Sequence, residues 1–312
     1  MANQEIGEVL QHQDARTSGA IIDILRTNET FISVSKTIAE GIMQRDREDD
    51  EKLDAGIQLA LNKCAIQPLP EAPVYETIDV KGKSPAQVAS KIVECVGDAA
   101  KTGCVIVLCG LSGTGKGTTV KTLSQMLDNT VCWSNGNVFR SVTLLCSTWC
   151  AQNGVEFSTD VLTPENLKSW MSMLHFGKHN GKYDIAIKGL GVDALVSEIA
   201  NTDLKGPLVK GNIPTVAEYI QGEVVTFASN AVNMMGKDGY IVLLEGRAQT
   251  VNYITTPHRF TLTMSDSTLV GMRRCAQRIA AGALGRVGDS CDDDAAQKAI
   301  MESLAAIAEG KE

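Results

Sequence analysis

The chain has 312 residues, of which 44% are hydrophobic and 21% charged, and its formal net charge is −8 at pH 7. This length and composition allow one large α/β domain or a medium domain with an appendage, and they exclude a largely disordered chain. The negative charge argues against an extended surface for nucleic acid, while it leaves room for a small basic pocket that binds a phosphorylated substrate.

No apolar stretch of the sequence is as long as a membrane span, and the first residues resemble neither a secretory signal nor an organelle-targeting leader. The nine cysteines include no Cys-x-x-Cys pair, which favours reduced thiols over a disulfide framework. Cys146 and Cys150 lie four residues apart on a predicted helix, where two small core residues are favoured over a metal or redox pair. We therefore expect a soluble, cytoplasmic protein that binds no membrane.

Residues 1–66 contain only helical patterns. Apolar residues recur at helical spacing in AIIDIL, ISVSKTIAEGIM and DDEKLDAGIQLALNKC. The charge run RDREDDEK at 45–52 lies between the last two patterns and predicts a solvated helix end or turn. A helical extension of this size buries little surface alone, so we expect it to dock on the main domain or on a protein partner.

A change of composition separates this extension from the main domain. The segment QPLPEAP at 67–73 holds three of the eight prolines, and we place a linker at 67–83. Residues 84–312 then alternate helical patterns with strand-like runs. CVIVLC is a continuous apolar run typical of a buried parallel strand, and YIVLLE and RFTLTM are two further strand-like runs. This alternation predicts an α/β domain with a doubly wound parallel sheet. The alternating segment 182–192, preceded by His-Asn-Gly, predicts a hairpin in a small antiparallel insert.

The strongest local signal is the segment GLSGTGKGT at 110–118, which fits GxxxxGK and lies between a predicted strand and a predicted helix. Glycines permit a tight loop whose backbone N–H groups point inward, and the following helix adds its positive end. The sequence therefore predicts a phosphate-binding loop for ATP, and a glycine-rich structural turn is the alternative. Gly117 stands where many such loops have the Ser or Thr that binds magnesium, so the nearby threonines offer the hydroxyls. The predicted ATP-binding residues of the loop are Gly110, Ser112, Gly113, Thr114, Gly115, Lys116, Gly117, Thr118 and Thr119.

Three features together resemble nucleoside monophosphate kinases of the cytidylate kinase family. They are the GKGT form of the loop, the segment WSNGNVFRSVTLL at 133–145 and the segment YIVLLEGR at 240–247. The resemblance covers about residues 103–283. It implies a P-loop kinase fold with an acceptor-binding insert at about 160–236, to which this chain adds the helical N-terminal extension.

The resemblance also implies a reaction, the transfer of the ATP γ-phosphate to CMP, dCMP or a related monophosphate with Mg²⁺. Lys116 would hold the transferred phosphoryl group, and Arg140 and Arg247 would bind the acceptor phosphate. Glu245 would orient magnesium through water, together with Thr118. The other implied positions are Asn135, Gly136 and Phe139 at the acceptor base, and Arg273, Arg274 and Arg278 at the ATP phosphates or adenine.

Each of these residues has a simpler alternative. A lone arginine on a helix is usually solvated or ion-paired, and Phe139 fits a core as well as it fits a pocket. For Arg140 and Arg247 binding is favoured, because both belong to matched segments near strand ends, where open α/β sheets bind ligands. His175 and His179 lie in a strand-and-turn pattern and are interpreted as surface residues rather than metal ligands.

The chain departs from the family in its acceptor region and at its end. Ala248 stands where the family usually has an Asp that helps to read cytosine, and 215–225 offers Gln221 and acids in place of arginines. Residues 278–307 pass almost directly from the Arg-Arg helix to a last helix, so only Arg286 remains as a lid arginine, and the acids at 292–294 would repel phosphate. A lid excludes water and adds positive charge at the transition state.

Two functions therefore compete. The first is an active kinase with an altered lid, which the loop and the two matched arginines favour. The second is a catalytically weak or inactive nucleotide-binding or scaffold subunit of a larger assembly, which the acidic helical extension and the short lid favour. A GTPase-type switch is disfavoured because no NKxD-like guanine element is found and residue 117 lacks a hydroxyl.

Overall fold

The computed structural model describes residues 6–288 and 292–311. Two sheets form its β-structure. The strands are β1 (Glu76–Asp79), β2 (Cys104–Cys109), β3 (Thr130–Trp133), β4 (Leu174–His179), β5 (Lys182–Gly189), β6 (Val192–Leu195), β7 (Ile241–Glu245) and β8 (His258–Thr263). The central sheet has the order β1-β8-β2-β7-β3, and all its strands are parallel.

Helices cover both faces of this central sheet. The helices are α1 (Ile6–His12), α2 (Ala15–Leu25), α3 (Glu29–Asn62), α4 (Pro85–Val96), α5 (Ala99–Thr102), α6 (Lys116–Met126), α7 (Asn135–Asn153), α8 (Pro164–Ser172), α9 (Val196–Ile199), α10 (Pro207–Tyr219), α11 (Gln221–Lys237), α12 (Ala248–Val251), α13 (Ser267–Val287) and α14 (Asp293–Ala308). Among the described helices, none is both long and apolar enough to cross a membrane.

The central strand β2 explains why its sequence is a continuous apolar run. Val105 and Val107 pack into the core on one face of the sheet, whereas Ile106 and Leu108 pack into the core on the other face. A strand that is buried on both faces needs apolar residues at successive positions. The predicted α/β class is confirmed in the form of a five-stranded parallel sheet flanked by helices, and β2, β7 and β8 coincide with the three predicted strands.

Strands β4, β5 and β6 form a separate antiparallel sheet, as the alternating pattern predicts. Asn180 and Gly181 connect β4 to β5 with φ angles of 51° and 79°. A two-residue hairpin turn of this kind requires positive φ at both positions, and Asn-Gly tolerates it at low cost. Phe176 of β4 packs edge-on against Trp133 of β3, with ring centroids 5.5 Å apart, and thereby joins the small sheet to the main one.

The segment 67–83, which the prolines mark as a linker, contains a strand of the central sheet. Residues of β1 pair in parallel with β8, so that Ile78 lies opposite Leu262 at the edge of the sheet. The other edge strand, β3, is also missing from the sequence-based assignment. Both strands have only four residues, too few to show a periodicity of their own.

The N-terminal helices pack on the last two helices of the chain. Ile21, Leu25 and Phe31 share a core with Ile279 of α13 and Ile300 of α14. This packing is the docking on the rest of the chain that the small size of the extension predicts. At the other end of this cluster, Asp292 caps α14, and the Asp293 carboxylate accepts a hydrogen bond from the backbone N–H of Gly7, so these two acids take part in packing.

The predicted helix end at the charge run is wrong. Helix α3 continues without interruption through RDREDDEK and ends only at Asn62. Arginine, glutamate and lysine are good helix formers, and Arg47 and Glu48 both hydrogen-bond to Gln44 one turn earlier. The run is not uniformly solvated either, because Asp46 is only 3% exposed.

Helix α3 lies in close contact with the body of the protein on both sides of Asp46. A Cβ atom on Gly271 of α13 would overlap the backbone carbonyl of Ser35. A Cβ atom on Gly56 would lie 3.1 Å from the carbonyl oxygen of Glu218, and one on Gly222 would lie 2.6 Å from Cβ of Ala60. Small residues let helix backbones approach this closely. The helix is therefore held at two crossings, with its charged middle between them.

Candidate functional site

The glycine-rich loop connects the end of β2 to the start of α6. Gly110, Gly113 and Gly115 have φ angles of 138°, 80° and 86°, which side chains other than hydrogen rarely allow. A Cβ atom on Gly113 would also lie 2.5 Å from Val270 Cγ1, and one on Gly110 would overlap the carbonyl oxygen of Leu262. The backbone conformation therefore requires all three glycines, and the packing of the loop also requires Gly110 and Gly113.

Lys116, the first residue of α6, points back into the loop. Its Nζ donates hydrogen bonds to the carbonyl oxygens of Gly110 (2.6 Å) and Leu111 (3.0 Å). Burial lowers the pKa of Lys116, and the nearby guanidinium of Arg247 lowers it further, while the carboxylates of Glu245 and Asp46 act in the opposite direction. The predicted phosphate-binding amine thus lies in a site with one other cation and two anions.

Glu245 lies where the sequence predicts, at the carboxyl end of β7 and beside α6. Its Oε2 is 3.7 Å from the position of a Cβ atom on Gly117, so the carboxylate faces the first turn of this helix, which also carries the exposed Thr118. Within residues 6–288 and 292–311, no three His, Cys, Asp or Glu side chains form a group that could hold a metal ion. A nucleotide-bound Mg²⁺ needs only one or two carboxylates beside the phosphates.

Arg247 is occupied by acids of α3. Its NH2 donates to Asp46 Oδ1 at 2.5 Å, and its guanidinium lies 3.6 Å from Asp50 and 3.9 Å from Asp49. The Arg247 and Asp46 side chains are 19% and 4% exposed. Arg247 is therefore ion-paired in the structure, which is the simpler alternative to a role in binding the acceptor phosphate.

Asp46 also binds the glycine-rich loop itself. The backbone N–H of Ser112 donates to Asp46 Oδ2 at 2.7 Å, and the Ser112 hydroxyl donates to Oδ1 at 2.6 Å. Burial raises the pKa of Asp46, but the hydrogen bonds from Ser112 and the ion pair with Arg247 outweigh it, so the pKa of Asp46 lies below its ordinary value. A charged carboxylate therefore lies at the mouth of the loop.

The sequence interpretation missed Asp46, although a signal was present. The buried stripe of α3 includes Ser35 and Ala39, and Asp46 lies seven residues beyond Ala39. Seven residues are about two helical turns, so this acid shares the face that packs inward. An acid at an inward position needs a partner, which the pattern alone does not identify.

Two cavities flank the loop. The α13 cavity, of about 630 Å³, is lined by Gly113, Thr118, Arg273 and Arg274 together with residues of α2 and α4. The two arginines predicted at the ATP phosphates or adenine thus face the same space as the loop. The α3 cavity, of about 500 Å³, lies on the other side and is lined in part by Asp46, Arg247, Tyr75, Gln249 and Thr261.

The residues predicted at the acceptor base are largely buried. Asn135 is 7% exposed; its Oδ1 accepts a hydrogen bond from Trp133 Nε1 at 2.8 Å, and its Nδ2 has no partner in the described part of the chain. Phe139 is 8% exposed and belongs to the main core. Arg140 donates to Asn137 Oδ1 at 3.2 Å and lies against Gly136, and both of these contacts are within α7.

Arg259 is a further buried cation that the sequence interpretation missed. Its guanidinium donates to the backbone carbonyls of Val251 (3.0 Å), Asn252 (3.2 Å) and Ile254, and to the hydroxyl of Tyr75 at 3.2 Å. These carbonyls belong to the last turn of α12 and the residues after it. Arg259 therefore fixes the segment that begins with Arg247.

Other residues singled out in the sequence are structural or lie away from the loop. Cys146 and Cys150 are buried in the core, as predicted, and burial raises the pKa of Cys146 to about 12. Arg286 donates to Ser303 of α14 at 2.8 Å, which directs it to the helix packing rather than to the loop. His175 and His179 lie on β4 of the small sheet.

Comparisons with protein-family models and with curated proteins find no family and no relative that matches this chain.

Proposed function

We propose that this chain is an ATP-dependent phosphotransferase that acts on a nucleoside monophosphate, with CMP or dCMP as the first acceptors to test. The observation that carries the proposal is the convergence of Lys116, Glu245 and Arg247 beside one glycine-rich loop at the carboxyl edge of a parallel sheet. Open α/β sheets bind ligands at this edge, and phosphoryl transfer depends mainly on positioning and on charge stabilisation.

The loop has the properties that a triphosphate requires. Its glycines hold a turn at the positive end of α6, an eleven-residue helix whose N-cap residue, Gly115, makes no side-chain hydrogen bond. Lys116 would turn from the loop carbonyls to the terminal phosphates. Thr118 and Glu245 would hold Mg²⁺, directly or through water, and the cation would supply charge neutralisation between the phosphates.

The α13 cavity would receive the nucleoside part of ATP. Arg273 and Arg274 line it together with the loop residues Gly113 and Gly115, so one ligand can reach both. Planar guanidinium groups suit phosphate oxygens and stack on a base. Arg247 and Arg140 would bind the acceptor phosphate. Ala248 offers no carboxylate that could hydrogen-bond to a cytosine, so UMP and AMP are possible acceptors as well.

A second candidate is a nucleotide-binding subunit without efficient catalysis. The observation that favours it is the direct passage from α13, which ends at Val287, to α14, which begins at Asp293. The described residues of this region contain no segment that covers the loop as a lid would, and Arg286 is bound to α14. A site that stays open to water loses much of the electrostatic stabilisation of the transition state.

The test is a coupled ADP-release assay on the full chain with ATP, Mg²⁺ and, in turn, CMP, dCMP, UMP and AMP. We expect turnover with one acceptor and a loss of at least about a hundredfold in Lys116→Ala, since this residue carries transition-state charge. Lys121→Ala, an exposed change on the same helix, is the matched control. ATP binding without turnover on any acceptor would favour the second candidate, and turnover that survives Lys116→Ala would contradict the assigned role of the loop.

A further inference from the structure

Asp46 holds the groups that a phosphate would be expected to use. One carboxylate accepts a backbone N–H, a hydroxyl and a guanidinium N–H, at 2.7, 2.6 and 2.5 Å. The N–H and the hydroxyl come from Ser112 in the loop, and the guanidinium comes from Arg247. Backbone amides at a helix start and an arginine fork are the donors with which proteins bind phosphate oxygens.

We propose that Asp46 is an internal phosphate mimic, which occupies an oxyanion site formed by Ser112 and Arg247 and must leave it before a phosphate group can bind there. The ligand class of this site is a phosphoryl or phosphate oxyanion. The identification of the competing ligand as a nucleotide rests on the proposed function. The competition between Asp46 and a phosphate oxyanion does not depend on it.

The rest of the loop is closed in a matching way. Lys116 is bound to the carbonyls of Gly110 and Leu111, and the hydroxyl of Thr114 donates to the same Leu111 carbonyl at 2.9 Å. Asp50, which also lines the α3 cavity, adds a second negative charge near Arg247. A polyphosphate that approaches on this side meets repulsion from the acids of α3.

Withdrawal of Asp46 involves the helix that carries it. Asp46 lies eleven residues after Ser35 and ten before Gly56, the two places where α3 meets the body of the protein in backbone contact. Because α3 is uninterrupted between these two crossings, they fix the position of Asp46 beside the loop. Release therefore requires either a side-chain rotation into the α3 cavity or a displacement of the middle of α3.

The decisive experiment measures ligand binding by calorimetry on the full chain with two probes, ATP and inorganic phosphate. The variants are Asp46→Ala and Asp46→Asn, which remove the charge, and Asp54→Ala, an exposed acid two turns further along the same helix, as the control. We expect both Asp46 variants to bind each probe about tenfold more tightly than the unmodified chain, and Asp54→Ala to be unchanged.

The two probes separate this inference from the proposed function. Tighter phosphate binding by the Asp46 variants without any ATP binding would support the mimic and contradict the kinase. Equal affinity of the unmodified chain and both variants for phosphate and for ATP would overturn the mimic, and turnover by the unmodified chain would then leave the kinase in place.

A second measurement needs no substitution and covers the case in which the variants fail to fold. Hydrogen exchange of the unmodified chain, with and without saturating ATP or phosphate, reports on the middle of α3. We expect faster exchange at about residues 42–53 when either ligand is bound, because the anchor of this segment has been displaced. Saturating ligand that leaves the exchange of residues 42–53 unchanged would overturn the proposal.

Discussion

The two flanks of the glycine-rich loop have opposite charge. The α13 cavity is lined by Arg45, Lys83, Arg273 and Arg274 against the single acid Asp23. In the α3 cavity the charged residues are two acids, Asp46 and Asp50, and one arginine, which is paired with both. The basic flank is thus built to attract an anion, whereas the acidic flank already contains one that belongs to the protein.

This difference in charge means that a ligand would bind differently on the two sides of the loop. Donors on the α13 side face a cavity that contains a single acid, Asp23, whereas donors on the α3 side must first exchange an internal carboxylate for the ligand. An internal ligand at high effective concentration lowers the apparent affinity for any competitor without altering the donors themselves. The following predictions test the contrast between the flanks.

Arg247→Ala has the largest expected effect, because it breaks the acidic flank. The Asp46 carboxylate would keep its bonds to Ser112 and lose the guanidinium of Arg247, which should lower the free energy of unfolding by about 1.5–3 kcal/mol. If the arginine also binds the acceptor, KM for the acceptor rises or kcat falls. Thermal unfolding and steady-state kinetics measure the two effects.

A double-mutant cycle gives the control for that variant. In the Asp46→Asn background, Arg247→Ala leaves no unpaired buried carboxylate. The further loss in free energy of unfolding caused by Arg247→Ala should therefore be clearly smaller in this background. Equal costs in both backgrounds would show that the ion pair contributes nothing and that Arg247 stabilises the fold through other contacts.

Gly271→Ala should shift α3 and so weaken the acidic flank from a distance. The new methyl group overlaps the Ser35 carbonyl, and we expect a loss of stability of about 1–3 kcal/mol together with tighter binding of ATP or phosphate. Gly285→Ala on the same helix has no atom within 4 Å of its Cβ position and should be neutral or slightly stabilising. A Gly271 variant that loses stability but gains no affinity would contradict the link between α3 docking and the loop.

Arg273→Ala and Arg274→Ala test the basic flank. Each should weaken ATP binding by up to about tenfold and leave phosphate binding nearly unchanged, since single partly exposed charges contribute about 1 kcal/mol. The same calorimetric titrations measure the change, and unaltered ATP affinity in both variants would place the nucleoside elsewhere.

The smallest effect is in the pH dependence of stability. Because the pKa of Asp46 is lowered in the folded chain, its carboxylate stabilises the fold above the ordinary carboxyl pKa of 3.8, and this contribution is lost as the pH falls through the lower folded value. The stability difference between the unmodified chain and Asp46→Asn should therefore shrink below pH 4. Denaturant unfolding at pH 3 and pH 6 would measure it, and a constant difference would contradict the assigned ionisation.

The loop and its strand could be predicted from the sequence because their signals are local. The buried strands β2 and β7 carry continuous apolar runs, and the glycines of the loop are required by backbone geometry at their own positions. The edge strands β1 and β3 escaped prediction because four residues give no periodicity. Glu245 was found through its place at a strand end, which is also a local property.

The partner of the loop could not be predicted in the same way. Ser112 meets an acid 66 positions earlier in the chain, and that acid meets an arginine 201 positions later. Which of several acids in RDREDDEK faces inward depends on where α3 crosses α13, α10 and α11. Gly271, Gly56 and Gly222 permit the close approach at these crossings. Spacing places Asp46 on the inward face, and only the packing supplies its partners.

The shared core of the first and last helices bears on the order in which the chain can fold. Helices α1 and α2 have no complete core until α13 and α14 exist, and α13 begins at Ser267, whereas α2 ends at Leu25. The parallel sheet and its loop precede them in synthesis. During translation the loop should therefore emerge without Asp46 bound to it. The Asp46 carboxylate should bind the loop only when residues 267–308 have left the ribosome.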